Sequence, residues 1–145
     1  GVALLPDTVD EAGIRAMVEG GIVGIRFNLD FPTSPPLLGP VGARALARAR
    51  EVGWIVQVHY HHGASIIEAL PTLRAAGLPV VIDHSGRPEL EGGLQQPGFQ
   101  ALLELGRSSD AVIKLSGVFR FSATGSPYAD TDPYVAALIE AFGIE

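Results

Sequence analysis

The feature that most constrains this chain is a repeating spacing. Five short apolar runs, Val2–Leu5, Ile22–Leu29, Trp54–Tyr60, Pro79–Asp83 and Ala111–Ser116, start about 20 to 32 residues apart, near the length of a βα unit. A helical pattern follows each run. The first has Thr8 and Glu11 at capping-box spacing, apolar Ile14, Met17 and Val18, and Gly20-Gly21 as a stop. Further helices are expected over Val41–Val52, Ser65–Ala76 and Phe99–Leu105, stopped by Gly53, Gly77 and Gly106. The last is expected to take Asp132 as N-cap and Pro133 as its first helical residue, with Leu138, Ile139 and Phe142 on one stripe.

Five such units need a common core, and the composition supplies one. Hydrophobic residues make up 47% of the 145 residues and charged ones 18%, which excludes disorder and fits a single domain. The 18 glycines and 11 prolines are dispersed between the apolar runs, as turns rather than as a linker. No apolar run reaches the roughly 20 residues that cross a bilayer. The net charge of −6 comes without a basic cluster, which argues against nucleic acid or an anionic membrane as partner. A small ligand is expected. Cysteine is absent, so thiolate chemistry is excluded and any metal ligand must be His, Asp or Glu. No charged segment leading into an apolar signal region is visible, so a cytoplasmic location is expected.

Strands apolar on nearly every residue are buried on both faces, as in a parallel sheet covered by helices. An open flavodoxin-like sheet, hence a binding or regulatory module, has this size, and so does a large part of a (β/α)8 TIM barrel. The two-residue period of a strand separates them. Gly24, Arg26 and Asn28 share one face against Val23, Ile25, Phe27 and Leu29, and Ile55, Gln57 and His59 oppose Trp54, Val56, Val58 and Tyr60. Val112, Lys114 and Ser116 likewise oppose Ile113, Leu115 and Gly117. One face of each strand is apolar, and the other turns polar toward the C-terminal end, where a barrel binds its ligand. The barrel is favoured. A flavodoxin-like module would also want an acidic cluster or a phosphate-binding glycine loop after its first strand, and Val2-Ala-Leu-Leu-Pro-Asp7 provides neither.

Chemistry-bearing residues gather where the strands end. The fourth strand runs into Asp83-His84-Ser85-Gly86-Arg87-Pro88, an acid, an imidazole and a guanidinium at a barrel rim, with Asp83 also readable as a loop cap. His59 is the strongest candidate in His59-Tyr60-His61-His62. Adjacent side chains point to opposite faces, so His61 and His62 read as loop residues. Arg26 sits inside an apolar strand, where a guanidinium either pairs with a buried carboxylate or awaits an anionic ligand. Lys114 and Arg120 add cations near the fifth strand's end, for a locally positive mouth on an acidic chain.

The phrases Gly24-Ile-Arg-Phe-Asn28, Val81-Ile-Asp-His-Ser-Gly-Arg-Pro88 and Ile113-Lys-Leu-Ser-Gly117, followed by Arg120 and Ser122, resemble the amidohydrolase-related family of TIM-barrel hydrolases, in particular its dicarboxylate lactonases. The resemblance runs over nearly the whole chain. It implies a (β/α)8 barrel of which residues 1–145 are the central part, about five βα units, with the first strands and the last strand absent. It implies hydrolysis of a small anionic lactone or related cyclic ester, or, as in cousins, metal-dependent decarboxylation of an aromatic or related acid. His84 matches the family's mid-barrel histidine and is the implied catalytic group, polarising the carbonyl. Arg26 and Arg87 are implied to hold substrate carboxylates. Asn28, Gln57, His59, Lys114, Ser116 and Arg120 complete the expected substrate-binding set. The cofactor stays open between zinc or manganese, with His84 a candidate ligand, and none, as the resemblance to dicarboxylate lactonases implies. The family's first-strand His-x-His pair and its last-strand Asp, usually in an Asp-Trp context, do not occur here, and Leu29-Asp-Phe-Pro32 stands where those lactonases carry a second arginine. The 145 residues alone are therefore expected to be inactive.

Overall fold

The computed structural model describes residues 1–109 and 111–143. Five strands, β1 (Val2–Ala3), β2 (Gly24–Asn28), β3 (Ile55–His59), β4 (Val80–Ile82) and β5 (Val112–Ile113), alternate with five helices. These are α1 (Glu11–Glu19), α2 (Gly39–Glu51), α3 (Gly63–Ala76), α4 (Pro97–Ser108) and α5 (Asp132–Phe142). All neighbouring strands pair in parallel, in the order β1-β2-β3-β4-β5. That order decides the architecture. A doubly wound sheet reverses its winding at a switch point. A sheet in strict chain order with right-handed crossovers instead carries every helix on one face, as a barrel does. The flavodoxin-like alternative is thereby corrected.

Burial follows the same division. Ile25, Val56, Val58 and Ile82 lie on the helix-covered face and are wholly buried, joined there by Ile66, Leu102 and Leu138 from the helices. On the concave face the sheet is less covered, and Val112 is half exposed. The outer strands are shorter than the sequence suggests, only two residues each. The ladder nevertheless continues past β5, because Lys114 N donates to Ile82 O at 2.9 Å.

Several helix ends differ from the sequence reading. Asp10, not Thr8, caps α1, accepting from Gly13 N at 2.8 Å. The last helix takes Thr131 as its N-cap, one residue before Asp132, and Pro133 still falls in its first turn. Gly106 does not stop α4, which continues to Ser108. Its missing side chain serves packing instead, since a Cβ there would stand 2.6 Å from the Phe142 ring of α5. Gly77, by contrast, ends α3 in the left-handed conformation expected of a C-terminal glycine.

Helices α3 and α4 meet at their N-termini, where Gly63 faces Gly98. A Cβ on Gly98 would lie 2.3 Å from Gly63 Cα, and backbone cannot yield as a flexible side chain can. Gly98→Ala is expected to lower stability by about 1–3 kcal/mol through overpacking. Gly125→Ala, with nothing within 4 Å of the new Cβ, should stay within about 0.5 kcal/mol. Urea denaturation of the two variants beside the parent chain measures the difference.

Candidate active site

The C-terminal ends of β2, β4 and β5 converge on one carboxylate. Asp83 leaves β4 with the parity of Val81, toward the concave face, and is 3% exposed. Arg26 Nη1 donates to its Oδ2 at 2.6 Å, and Lys114 Nζ stands 2.8 Å from Oδ1. His84 Nε2 lies 3.2 Å from Oδ2. Burial alone would raise the Asp83 pKa. The close ammonium of Lys114 and the hydrogen bond from Arg26, with the charges of Arg26 and His84, outweigh it and bring the group down to about 2. Arg26 is fixed a second time by Nε donating to Asn28 Oδ1 at 2.8 Å. Of the two readings open for Arg26, the buried carboxylate is the one the fold provides.

His84 to Arg87 form a left-handed turn, with φ of 51°, 54°, 66° and 42° at His84, Ser85, Gly86 and Arg87. Three of the four are not glycine, and each such residue costs on the order of 1–3 kcal/mol. Neighbouring backbone holds the turn in place. Ser85 N donates to Lys114 O at 2.9 Å, and Ser85 Oγ donates to Ser116 O at 3.1 Å. Gly86 is a close approach as well as a positive φ, because a Cβ there would meet Leu102 at 2.3 Å and the Tyr60 hydroxyl at 2.7 Å. The turn leaves His84 with Nδ1 3.4 Å from Ser116 Oγ. A carboxylate 3.2 Å from Nε2 favours the neutral tautomer that carries its proton there and leaves a lone pair on Nδ1. Burial, and after it the Arg120, Lys114 and Arg26 charges, hold the His84 pKa below its ordinary value despite Asp83.

The remaining expected residues fall around this centre. Gln57 is buried in β3, in register between Arg26 and Val81. His59 pairs in register with Asn28 and is 7% exposed. Its ring stacks on Phe31 at 5.7 Å and meets His61 and His84 edge-on at 5.1 and 5.4 Å. Burial first, then the charges of Arg26, His61 and His84, push its pKa down to about 4. Arg87 is partly buried, and burial with the neighbouring Arg120 guanidinium lowers its pKa. Arg120, exposed, lies over its neighbour Phe119 at 5.3 Å. Among the described residues no carboxylate pairs with Arg87 or Arg120.

Sequence reasoning passed over Asp30 and Phe31. Asp30 accepts from the backbone N–H groups of His61 and His62 and from Ser65 Oγ, capping α3 from another loop. The signal was an omission: α3 starts at His62-Gly63 with no capping side chain of its own. Pinning this segment also sets His61 beside His59 and Phe31.

The amidohydrolase family model matches residues 1–145. The chain belongs to the amidohydrolase family. Among relatives of this amidohydrolase, a 4-sulfomuconolactone hydrolase from Rhizobium radiobacter is 33% identical over 129 residues, covering 88% of this chain and 42% of that protein. A 2-pyrone-4,6-dicarboxylate hydrolase from Comamonas testosteroni is 28% identical, covering 98% of this chain and 49% of that one. Among solved structures, a Pseudomonas putida protein described as a 2-pyrone-4,6-dicarboxylic acid hydrolase superposes with a TM-score of 0.80 at 36% identity, over 99% of this chain and 52% of its own. An Acinetobacter baumannii protein of the same description, with citric acid bound, gives 0.79 at 28% identity, over 99% and 53%. The chain thus spans about half the length of the relatives it matches.

Amidohydrolases of this kind raise the question of a metal. Among the described residues no three His, Asp or Glu side chains converge to hold an ion, and Asp83 is already matched by Arg26 and Lys114. The donor set present does not by itself make a metal site.

The shifts of His59 and Asp83 imply a pH dependence with a definite sign. His59 binds its proton with a pKa of about 4 in the folded chain against 6.5 in a free side chain, so the unfolded state takes up more protons between those values and stability falls as pH drops from 6.5 to 4. The depressed Asp83 adds a second loss between about pH 4 and 2. Urea unfolding at pH 7, 5.5 and 4 should show the first decline, and His59→Phe should flatten part of it. Asp83→Ala at pH 7 should cost about 3–5 kcal/mol, because Arg26 and Lys114 lose their counter-charge.

Proposed function

We propose that the chain is the central part of a single (β/α)8 barrel, and that the whole protein hydrolyses a small anionic lactone. The observation that carries this reading is the charge arrangement of the mouth. In a chain of net charge −6, four permanent cations, Arg26, Arg87, Lys114 and Arg120, gather at the strand ends around a single buried carboxylate. Asp83 accounts for Arg26 and Lys114. Arg87 and Arg120 are left for an anion from outside, and guanidiniums grip carboxylates bidentately. The relatives named as lactone hydrolases support the reaction, and the citric acid bound to the Acinetobacter baumannii protein supports a polycarboxylate-sized ligand.

His84 is the reacting group in this proposal. With Nε2–H committed to Asp83, its Nδ1 accepts a proton rather than giving one, so it serves the attacking water. Polarisation of the carbonyl, the role the sequence reading gives His84, is the alternative at the same position. Arg87 and Arg120 orient the substrate, and the strained turn places His84 and Arg87 three residues apart on the same rim.

The test is calorimetric binding of a carboxylated lactone and its methyl ester to the chain, at low salt. The carboxylated form should bind at least tenfold more tightly, and Arg87→Lys should weaken it by about 10- to 100-fold, the loss of a charged hydrogen bond, with little effect on the ester. Equal affinity for the two forms would overturn the reading. In the whole enzyme, His84→Ala should lower kcat far more than it raises KM.

A further inference from the structure

The loop that follows β2 encloses a cavity of about 480 Å³ against the first turns of α3, a volume typical of small-molecule sites. Its wall is mainly apolar, built from Leu29, Phe31, Pro32, Pro36, Leu37 and Leu38. The cavity adjoins the mouth. Asn28, whose side chain anchors Arg26, and Phe31, whose ring stacks on His59 at 5.7 Å, belong to both. The polar groups of the wall are spent within it. Leu29 N donates to His59 O at 2.9 Å, Phe31 N to Asn28 O at 3.4 Å and Ser34 N to Phe31 O at 2.9 Å, while Pro32 and Pro36 have no N–H to give. Ser65 Oγ donates to Asp30. Among the described residues no lysine, arginine or histidine lines the cavity, and no cation pairs with Glu68, which stands on its α3 side.

The chemistry of the occupant follows from what the wall offers. An anion entering here would lose its hydration without finding donors to replace it, and would meet the Glu68 carboxylate. The cations left for a ligand lie elsewhere. Burial and the neighbouring Arg120 both bear on Arg87, so these two guanidiniums stand close together, a seat for one carboxylate rather than for two set apart. We propose that the cavity is a subsite for an uncharged, apolar substituent of the lactone, so that the protein takes a lactone bearing one carboxylate and an alkyl or aryl group rather than a dicarboxylate. This rests on the anionic-lactone reading above and names the substrate class within it. The wall favours such a group by taking its surface out of water, about fourfold in affinity for each methylene fully buried. Glu68 works by exclusion, since a second carboxylate in the same place is repelled.

The experiment compares four probes by calorimetry on the full chain: 2-pyrone-6-carboxylate, its derivatives carrying a butyl group at C3 or at C4, and 2-pyrone-4,6-dicarboxylate. One butyl derivative should bind at least about tenfold more tightly than the parent pyrone, the effect of burying two or more methylenes, and the dicarboxylate should gain nothing over the parent. Glu68→Lys, a change at an exposed position of α3, should raise the affinity of the dicarboxylate by about 3- to 10-fold and leave the parent pyrone unchanged. In the unsubstituted chain, nuclear Overhauser contacts should place the butyl protons against Phe31, Leu37 or Leu38, which decides the matter even if Glu68→Lys fails to fold. Butyl derivatives no tighter than the parent, a dicarboxylate tighter than the parent, no gain for the dicarboxylate in folded Glu68→Lys, or a butyl group whose contacts lie outside the cavity overturns the subsite and leaves the anionic-lactone reading standing. If no probe binds the unsubstituted chain, that reading falls and this inference with it.

Discussion

A carboxylate out of water needs cations around it, and Asp83 dictates where three strands put theirs. Arg26 comes from β2 and Asp83 from β4, two strand spacings apart, or about 10 Å along the sheet. Only a long side chain on a concave face closes that gap. The curvature that brings β2 and β4 side chains together is that of a barrel, where alternate strands fill a common layer. Lys114 ties in the end of β5 from the other side. The cluster therefore joins the two-residue strand β5 to longer ones, and it does so at the rim where the ladder is giving out. A buried ion cluster contributes little net stability beside an apolar equivalent. What it sets here is register: His84, Lys114 and Asn28 all take their positions from partners of Asp83 or from Asp83 itself.

The mouth divides into a compensated and an uncompensated half. Arg26 and Lys114 are neutralised from within, whereas Arg87 and Arg120 face one another closely enough to perturb Arg87. The Asp30 oxygens turn to the N–H groups of His61 and His62 at the start of α3, and the same contact orders the aromatic wall of Phe31, His59 and His61.

Much of this was legible in residue order. The spacing of the apolar runs gives the βα repeat, and the alternation in Gly24–Asn28 and Ile55–His59 separates the packed face from the polar one, because a strand's period is two whatever its neighbours do. Arg26 was recognisable as a buried charge in need of a partner, but which carboxylate meets it, 57 residues on, depends on how the sheet curves. Caps were less legible. Thr8, Asp10 and Glu11 all lie within reach of the same helix end, and the choice of Asp10 depends on how the chain leaves Pro6. Gly106 looked like a stop because a glycine that makes room for a neighbouring helix and one that ends its own are the same letter. The long-range cap by Asp30 lies 31 residues from His61, beyond any local pattern. The left-handed turn was hidden for another reason: its sequence, His-Ser-Gly-Arg, carries one glycine where the backbone needs four permissive residues.

That turn limits how the family's chemistry can diversify in this chain. Branching at Cβ is disfavoured at positions 84, 85 and 87 because all three lie at positive φ, and position 86 admits no side chain at all beneath Leu102 and Tyr60. Neutral drift through the segment is thus nearly closed, and a change of substrate has to be written elsewhere. The open ground is the stretch from Leu29 to Leu38, which lines a cavity of about 480 Å³ with Ser65 and Glu68 on its far wall and borders the mouth through Phe31. A rim whose backbone tolerates few side chains thus stands beside a stretch with room to vary.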